Sequence, residues 1–308
     1  MMKRTLFPLV AFTLLLGTTP VTGAASYDTA KAAAQAAYAN REYESAAKLF
    51  RDALALAENG EDESEAQFMV AQSLLNARVY DAALKEYEKV LKVPGGRPVD
   101  RANAQINIGN CYSRIKKRDY AKACAAYEKA LGMSGMTDAL RLQALRFLGR
   151  AYYNWNKYDK ARECLGRVYM DEKASAGAKG EALRYIALSL RAEKDYEGAV
   201  DIYRAILELE GISSYYESLA KYEIGRCYAD MRQYEAMRMA MAKVAEVEEP
   251  VAAHVSKAWI AIGNSYLAEN RFEDAIAAYQ KVLDMEGASQ RDVDEAREGI
   301  KRAKAGGK

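Results

Sequence analysis

The side chains able to do chemistry on their own are few and scattered. The chain holds one histidine, His254, and four cysteines, Cys111, Cys124, Cys164 and Cys227. Zinc sites and serine triads both need a positioned partner for the imidazole, and His254 has no companion of its kind. The cysteines form no C-x-x-C pair and match no zinc framework, so they read as small apolar side chains inside helices. Were any two to pair, Cys111 and Cys124 would be the candidates, since both fall in one helical hairpin. The run Met237-Arg238-Met239-Ala240-Met241 offers thioethers to a soft metal. On a helix, however, residues i and i+2 lie about 200° apart. Met239 then points away from Met237 and Met241, and the latter two read as core. No glycine-rich phosphate loop and no H-E-x-x-H occurs. The residues predict no catalytic centre, no metal ligand set and no cofactor.

Charge and the N-terminus narrow the partner instead. Met1 to Arg4 is basic, Leu6 to Gly17 is apolar, and Val21-Thr22-Gly23-Ala24-Ala25 supplies small residues. That order predicts a secretory signal peptide over 1–25, cut between Gly23 and Ser26, and hence a periplasmic or extracellular product. The apolar run is shorter than the roughly 20 residues a spanning helix needs, and no second one follows. Loss of Lys3 and Arg4 from the 45 basic residues leaves 43 against 43 acidic ones. A neutral chain lacks the broad basic surface on which nonspecific nucleic-acid binding depends.

What must position any functional surface is a repeat. An aromatic followed three residues later by a small residue recurs as Tyr43/Ala46, Tyr80/Ala83, Tyr120/Ala123, Tyr158/Ala161, Tyr196/Ala199, Tyr234/Met237 and Phe272/Ala275. Successive aromatics lie 37, 40, 38, 38, 38 and 38 residues apart, the mark of a solenoid and not of one globule. Each unit carries two amphipathic stretches. In the fourth, Leu145, Leu148, Gly149 and Tyr152 recur at helical spacing, and after a short break Tyr158, Ala161, Leu165 and Val168 do so again. Nine residues before the aromatic stands Ala34, Ala71, Gly149, Ala187, Gly225 or Gly263, with Gly109 displaced by two extra residues in the third unit. Facing the small residue of the second stretch, these predict a close helix approach. Seven units of about 38 residues then fill 26–289. In 290–308, a thin stripe of Val293, Ala296, Ile300 and Ala303 predicts a capping helix over 291–304, and Gly306-Gly307-Lys308 a frayed tail.

This pattern resembles the tetratricopeptide repeat. The last unit carries it most fully, with Trp259, Ile262-Gly263, Tyr266, Phe272, Ala275, Tyr279, Val282 and Leu283 at the family's signature spacings. Units four and six keep Leu148-Gly149-x-x-Tyr152 and Ile224-Gly225-x-x-Tyr228. The departures are a period three to four residues above the usual 34, Met237 in place of alanine, and a terminal proline only at Pro94 and Pro250. The resemblance spans about residues 28–286 and implies an all-α, right-handed α-solenoid, a non-catalytic scaffold for a protein or peptide.

In such solenoids the free face of the first helices lines the concave side. That register places Gln143, Arg146, Phe147, Arg150, Tyr153 and Asn154 there in unit four. Unit five adds Glu181, Arg184, Tyr185, Leu188 and Arg191, and unit six Leu219, Tyr222, Glu223, Arg226 and Asp230. With Arg146 beside Arg184 and Phe147 beside Tyr185, they predict a groove rich in arginine and aromatics, the residue types enriched in binding hot spots. Five arginines against three acids favour an acidic segment or a C-terminal carboxylate. In unit three Asn103, Asn107, Asn110 and Arg114 extend a polar floor, which resembles family members that clasp a terminal carboxylate, but without their paired lysines. The alternative reading is a structural spacer or oligomerisation element of an envelope assembly.

Overall fold

The computed structural model describes residues 26–307; the expected signal peptide at 1–25 lies outside them. Over this range the chain is helical, with no strand among the described residues. Seven antiparallel hairpins follow one another: α1 (Tyr27–Ala39) with α2 (Tyr43–Leu54), α3 (Gly60–Asn76) with α4 (Tyr80–Val90), α5 (Pro98–Arg114) with α6 (Tyr120–Leu131), and α7 (Asp138–Asn154) with α8 (Tyr158–Tyr169). Then come α9 (Ala176–Ala192) with α10 (Tyr196–Leu207), α11 (Ser214–Asp230) with α12 (Tyr234–Ala242), and α13 (Ala252–Ala268) with α14 (Phe272–Asp284). A single helix, α15 (Gln290–Gly306), closes the array.

The helix boundaries follow from local chemistry. Each recurring aromatic is the first residue of its second helix. In six of the seven units the first helix ends four residues earlier, and the middle one of the three residues between is left-handed: Arg41, Arg78, Asn156, Lys194, Arg232 and Asn270, with φ between 58 and 68°. The amide of the next residue then bonds back to a carbonyl five residues earlier, as Lys157 to Tyr152 and Asp195 to Leu190 at 2.9 Å. This closes the helix end. The third unit places its two extra residues here: the amide of Asp119 reaches the carbonyl of Tyr112 instead. Helices α7, α9 and α15 start on side-chain caps, Thr137, Ser175 and Ser289 each accepting from the amide three residues on, whereas α5, α11 and α13 start without one.

First helices touch their successors, α7 on α9, α9 on α11 and α11 on α13, while each second helix packs against the first helix of the next hairpin. The first helices therefore form one continuous row, and the apolar core runs between it and the second helices. The close approach at Gly149 differs in its partner from the sequence expectation. A Cβ on Gly149 would stand 2.5 Å from Leu165 Cγ, and one on Gly263 would stand 2.6 Å from Tyr279 Cε1. The atoms nearest such a Cβ thus belong to the large residue seven after the aromatic; at Gly225 the backbone carbonyl of Met237, three after it, follows at 3.4 Å. That large residue is Phe50, Tyr87, Tyr127, Leu165, Tyr203, Met241 or Tyr279, buried in every unit. Large against small keeps the helices close without a void.

Two terminal features also depart from expectation. The last helix continues past Lys304 to Gly306, the first residue of the tail expected to fray, where Gly306 lies against the Phe272 ring. In the sixth unit α12 has nine residues and passes into a 3-10 turn, Lys243–Glu246.

Candidate binding groove

The row of first helices brings the predicted groove residues together. On α7, α9 and α11 the apolar stripe, including Leu145, Leu148, Leu183, Ile186 and Ile224, is buried. Opposite it, Arg146, Phe147, Arg150, Tyr153, Arg184, Tyr185, Arg191, Tyr222 and Arg226 are half-buried, and Asn154 is exposed at the end of α7. Leu219, expected on this face, is instead buried in the core.

The arginines are largely spoken for. Glu181 on α9 reaches back to α7 and holds two of them: Arg146 Nε lies 2.9 Å from its Oε2, and Arg150 Nη1 3.1 Å from its Oε1. Glu223, buried on α11, accepts from Arg226 Nη1 at 2.9 Å and stands 3.6 Å from Arg191 Nη1. Arg191 Nε also donates to Asp230 at 2.6 Å. These partly dry bridges staple α7 to α9 and α9 to α11, and removing one partner would leave a charge uncompensated. The expected pairing of Phe147 with Tyr185 is mediated by a cation: the Arg150 guanidinium stands 5.9 Å from one ring and 5.5 Å from the other. Tyr185 meets Tyr153 edge-on at 5.4 Å.

Arg184 is different. It forms no ion pair among the described residues, and its Nε is buried without a hydrogen-bond partner. Its guanidinium lies 5.2 Å from the Tyr185 ring. It is also close enough to His254 for its charge to act there. His254, at the start of α13, stacks on Tyr222 with centroids 6.0 Å apart and planes at 12°, and sits 5.6 Å from Tyr215. Its Nδ1 is buried and unpartnered. Burial first, then the positive charges of Lys257 and Arg184, hold its pKa below the ordinary imidazole value. Sequence reasoning passed over His254 by asking only whether it could be catalytic. Its place beside an unpaired arginine depends on a contact between units.

The polar floor of unit three is structural. Asn107 and Asn110 are buried; Asn110 Nδ2 donates to Asn107 Oδ1 at 2.9 Å, and Tyr127 Oη donates to Asn110 Oδ1 at 2.8 Å. The last bond recurs. The buried tyrosine of the second helix donates to the residue just after the small position of the first, as Tyr87 to Gln72 at 2.9 Å and Tyr279 to Asn264 at 2.6 Å. Units four and six have Leu165 and Met241 in place of tyrosine, and there the facing position is an arginine, Arg150 or Arg226, paired with Glu181 or Glu223 instead of a tyrosine hydroxyl. Unit five keeps Tyr203 but faces it with Leu188, and the Tyr203 hydroxyl is buried without a partner.

All four cysteines are free and buried, Cys111 and Cys124 included. Burial pushes the Cys111, Cys124 and Cys227 thiols up to about 12 and Cys164 to about 11. Met237 and Met241 lie in the core and Met239 faces out.

Family models described as the tetratricopeptide repeat match residues 31–104 and 148–215, 102–135, and 256–287. The chain belongs to the tetratricopeptide repeat family. No curated protein matches it in sequence. Solved structures share the solenoid. A tetratricopeptide repeat protein from Parabacteroides merdae is similar at 15% identity and TM-score 0.58, over 90% of this chain and 98% of that one. The C-terminal part of a repeat protein from Cytophaga hutchinsonii is similar at 17% and 0.62, over 86% and 98%. The apo form of RapI is similar at 13% and 0.65, over 91% and 86%. At these identities the likeness is one of fold. Tetratricopeptide repeats generally serve as scaffolds for protein partners. The family models leave 216–255 unmatched, the stretch holding the shortened α12 and its 3-10 turn.

Proposed function

We propose that this tetratricopeptide protein is an exported, non-catalytic scaffold. Its groove over units four to six holds a protein segment bearing an acidic residue or a free C-terminal carboxylate. The observation that carries the reading is Arg184: of the five groove arginines it alone lacks a carboxylate among the described residues, and it stands over the Tyr185 ring, its charge felt at His254, which stacks on Tyr222. An incoming carboxylate would supply the missing counter-charge. Tyr185 and Tyr222 would supply flat contact area at low entropic cost. Arg146, Arg150, Arg191 and Arg226, already bridged, would shape the groove and steer encounter.

The test is binding of a partner captured from native extract. Arg184→Gln should weaken it by about 2 kcal/mol, roughly thirtyfold, as expected of a hot spot. Tyr185→Ala should speed dissociation. The pH dependence has a definite sign. With its pKa held below the ordinary imidazole value, His254 is neutral at pH 7 in the free protein, and a bound carboxylate favours its charged form, so affinity should rise as pH falls from neutral. That gain should vanish in His254→Gln. Wild-type affinity in Arg184→Gln would sink the groove reading. Self-association by light scattering would then favour the spacer. Intact Met1 on protein recovered from the cell envelope would refute export.

A further inference from the structure

On the face away from the groove, notches open between two successive second helices and the first helix between them, α6, α7 and α8 forming one and α10, α11 and α12 another. These two can be compared position by position. In the fourth unit the notch over Leu148 is ringed by Glu128, Lys160, Glu163 and Arg167, two acids against two bases, and Glu128 accepts the hydroxyl of Tyr152. In the sixth unit the same register holds Arg204, Ala236, Met239 and Lys243 over Ile224. The tyrosine hydroxyl, now Tyr228, accepts from Arg204 Nη2 at 3.0 Å in place of donating to a carboxylate. Lys221 adds a third cation, and no acid lines the notch, which has a volume of about 410 Å³. Met239 is 63% exposed at its lip.

We propose that this notch is a second docking site, on the outer face, for an acidic segment of a partner protein that seats one aliphatic side chain on Leu207, Ile224 and Met239. The charge pattern selects the occupant. A self-neutralised notch, as in unit four, offers an anion nothing, whereas three cations around an apolar floor favour carboxylates flanking an apolar side chain. Lys243 forms no ion pair among the described residues; Arg204 holds the exposed Asp201, and Lys221 the half-buried Glu217, both carboxylates lying outside the notch. Surface pairs of that kind exchange readily. The notch is open along its outer side. It suits a side chain presented by a polypeptide better than an acyl chain, which needs enclosure along its length. The site is independent of the Arg184 groove.

The experiment follows the methyl resonances of the full chain labelled at methionine. Met239 is assigned by its loss in Met239→Ala, while buried Met237 and Met241 report on folding. Titration with acetyl-Glu-Leu-Glu-amide should shift the Met239 methyl saturably, and acetyl-Lys-Leu-Lys-amide should not. Lys221→Glu/Lys243→Glu should weaken the acidic peptide at least tenfold, and Arg184→Gln should leave it unchanged. Should the double variant disturb the Met237 and Met241 signals, Met239→Glu, read on Met241 and by calorimetry, replaces it with the same expectation. No saturable shift up to millimolar peptide, equal shifts with the basic peptide, or undiminished binding in the variants would overturn the proposal.

Discussion

A buried hydroxyl is costly unless it is bonded, and this chain runs that comparison within itself. Tyr127 and Tyr279 donate to Asn110 and Asn264, whereas Tyr203 at the same register faces Leu188 and is unpartnered. Tyr127→Phe should lose about 0.5–1.5 kcal/mol, because the buried Asn110 is left unsatisfied, and Tyr279→Phe less, because the exposed Asn264 can turn to water, while Tyr203→Phe should be neutral or stabilising. Urea midpoints decide it; an equal loss at Tyr203 would mean its hydroxyl has found a partner. The pairing can be traced in the sequence only once the structure gives the register. A tyrosine seven after the aromatic accompanies Gln72, Asn110 or Asn264 one after the small residue, and where Leu165 or Met241 replaces it the facing residue is an arginine. The ion pairs were not legible from a one-face reading. Arg146 and Glu181 stand 35 residues apart, and which groove charges neutralise one another depends on how neighbouring first helices are offset. Counting five arginines against three acids credited to four of them a freedom that only Arg184 has.

At the scale of the hairpin, the turn and the helix contact set the geometry that the groove inherits. Four of the six left-handed turn residues are arginine or lysine, types with no local side-chain bond to favour that conformation. An L-residue there bears about 1–2 kcal/mol of steric cost, against about 0.5–1 kcal/mol of extra chain entropy for glycine. Lys194→Gly should therefore stabilise the chain by about 0.5–1 kcal/mol in thermal or denaturant unfolding; a loss would mean the lysine side chain contributes something its backbone does not. The helix contact gives the converse case. Gly149→Leu forces side-chain atoms into Leu165 and should cost about 1–3 kcal/mol. If Leu165 is the obstacle, Leu165→Ala in the same chain should recover part of that loss, a coupling expected only of residues in contact. Rescue by substitution at Ala161 instead would restore the small-on-small packing read from the sequence. Helix number, the start of every second helix and the lengthened third turn were all legible, since periodicity and turn chemistry are local. The partner of the glycine was not, because side chains three and seven along one helix share a face.

Along the whole molecule, each hairpin leans only on its neighbours, so the ends carry a burden the middle does not. At the C-terminal end α15 buries Ala296, Gly299 and Ala303 against α13 and α14, with Gly299 over the Tyr279 ring and Gly306 over Phe272. Ser256 on α13 donates to Asp292 on α15 at 2.6 Å, a buried bond that repeats the one from Ser64 to Asp100 at 2.8 Å between α3 and α5. The cap therefore docks as a further first helix would, with its outer side charged. Removing residues 290–308 would expose the apolar face formed by Phe272, Ile276, Tyr279 and Leu283. In a nearest-neighbour array such damage is local. The truncated chain should lose hydrogen-exchange protection first across α13 and α14, while α7 to α10, two hairpins away, keep theirs. A partner bound to Arg184 should still be held, though less firmly, because His254 and Lys257 lie on the loosened α13. Uniform loss of protection from α1 to α14 would show instead that the solenoid unfolds as one cooperative unit, with the groove's integrity set by its last helix.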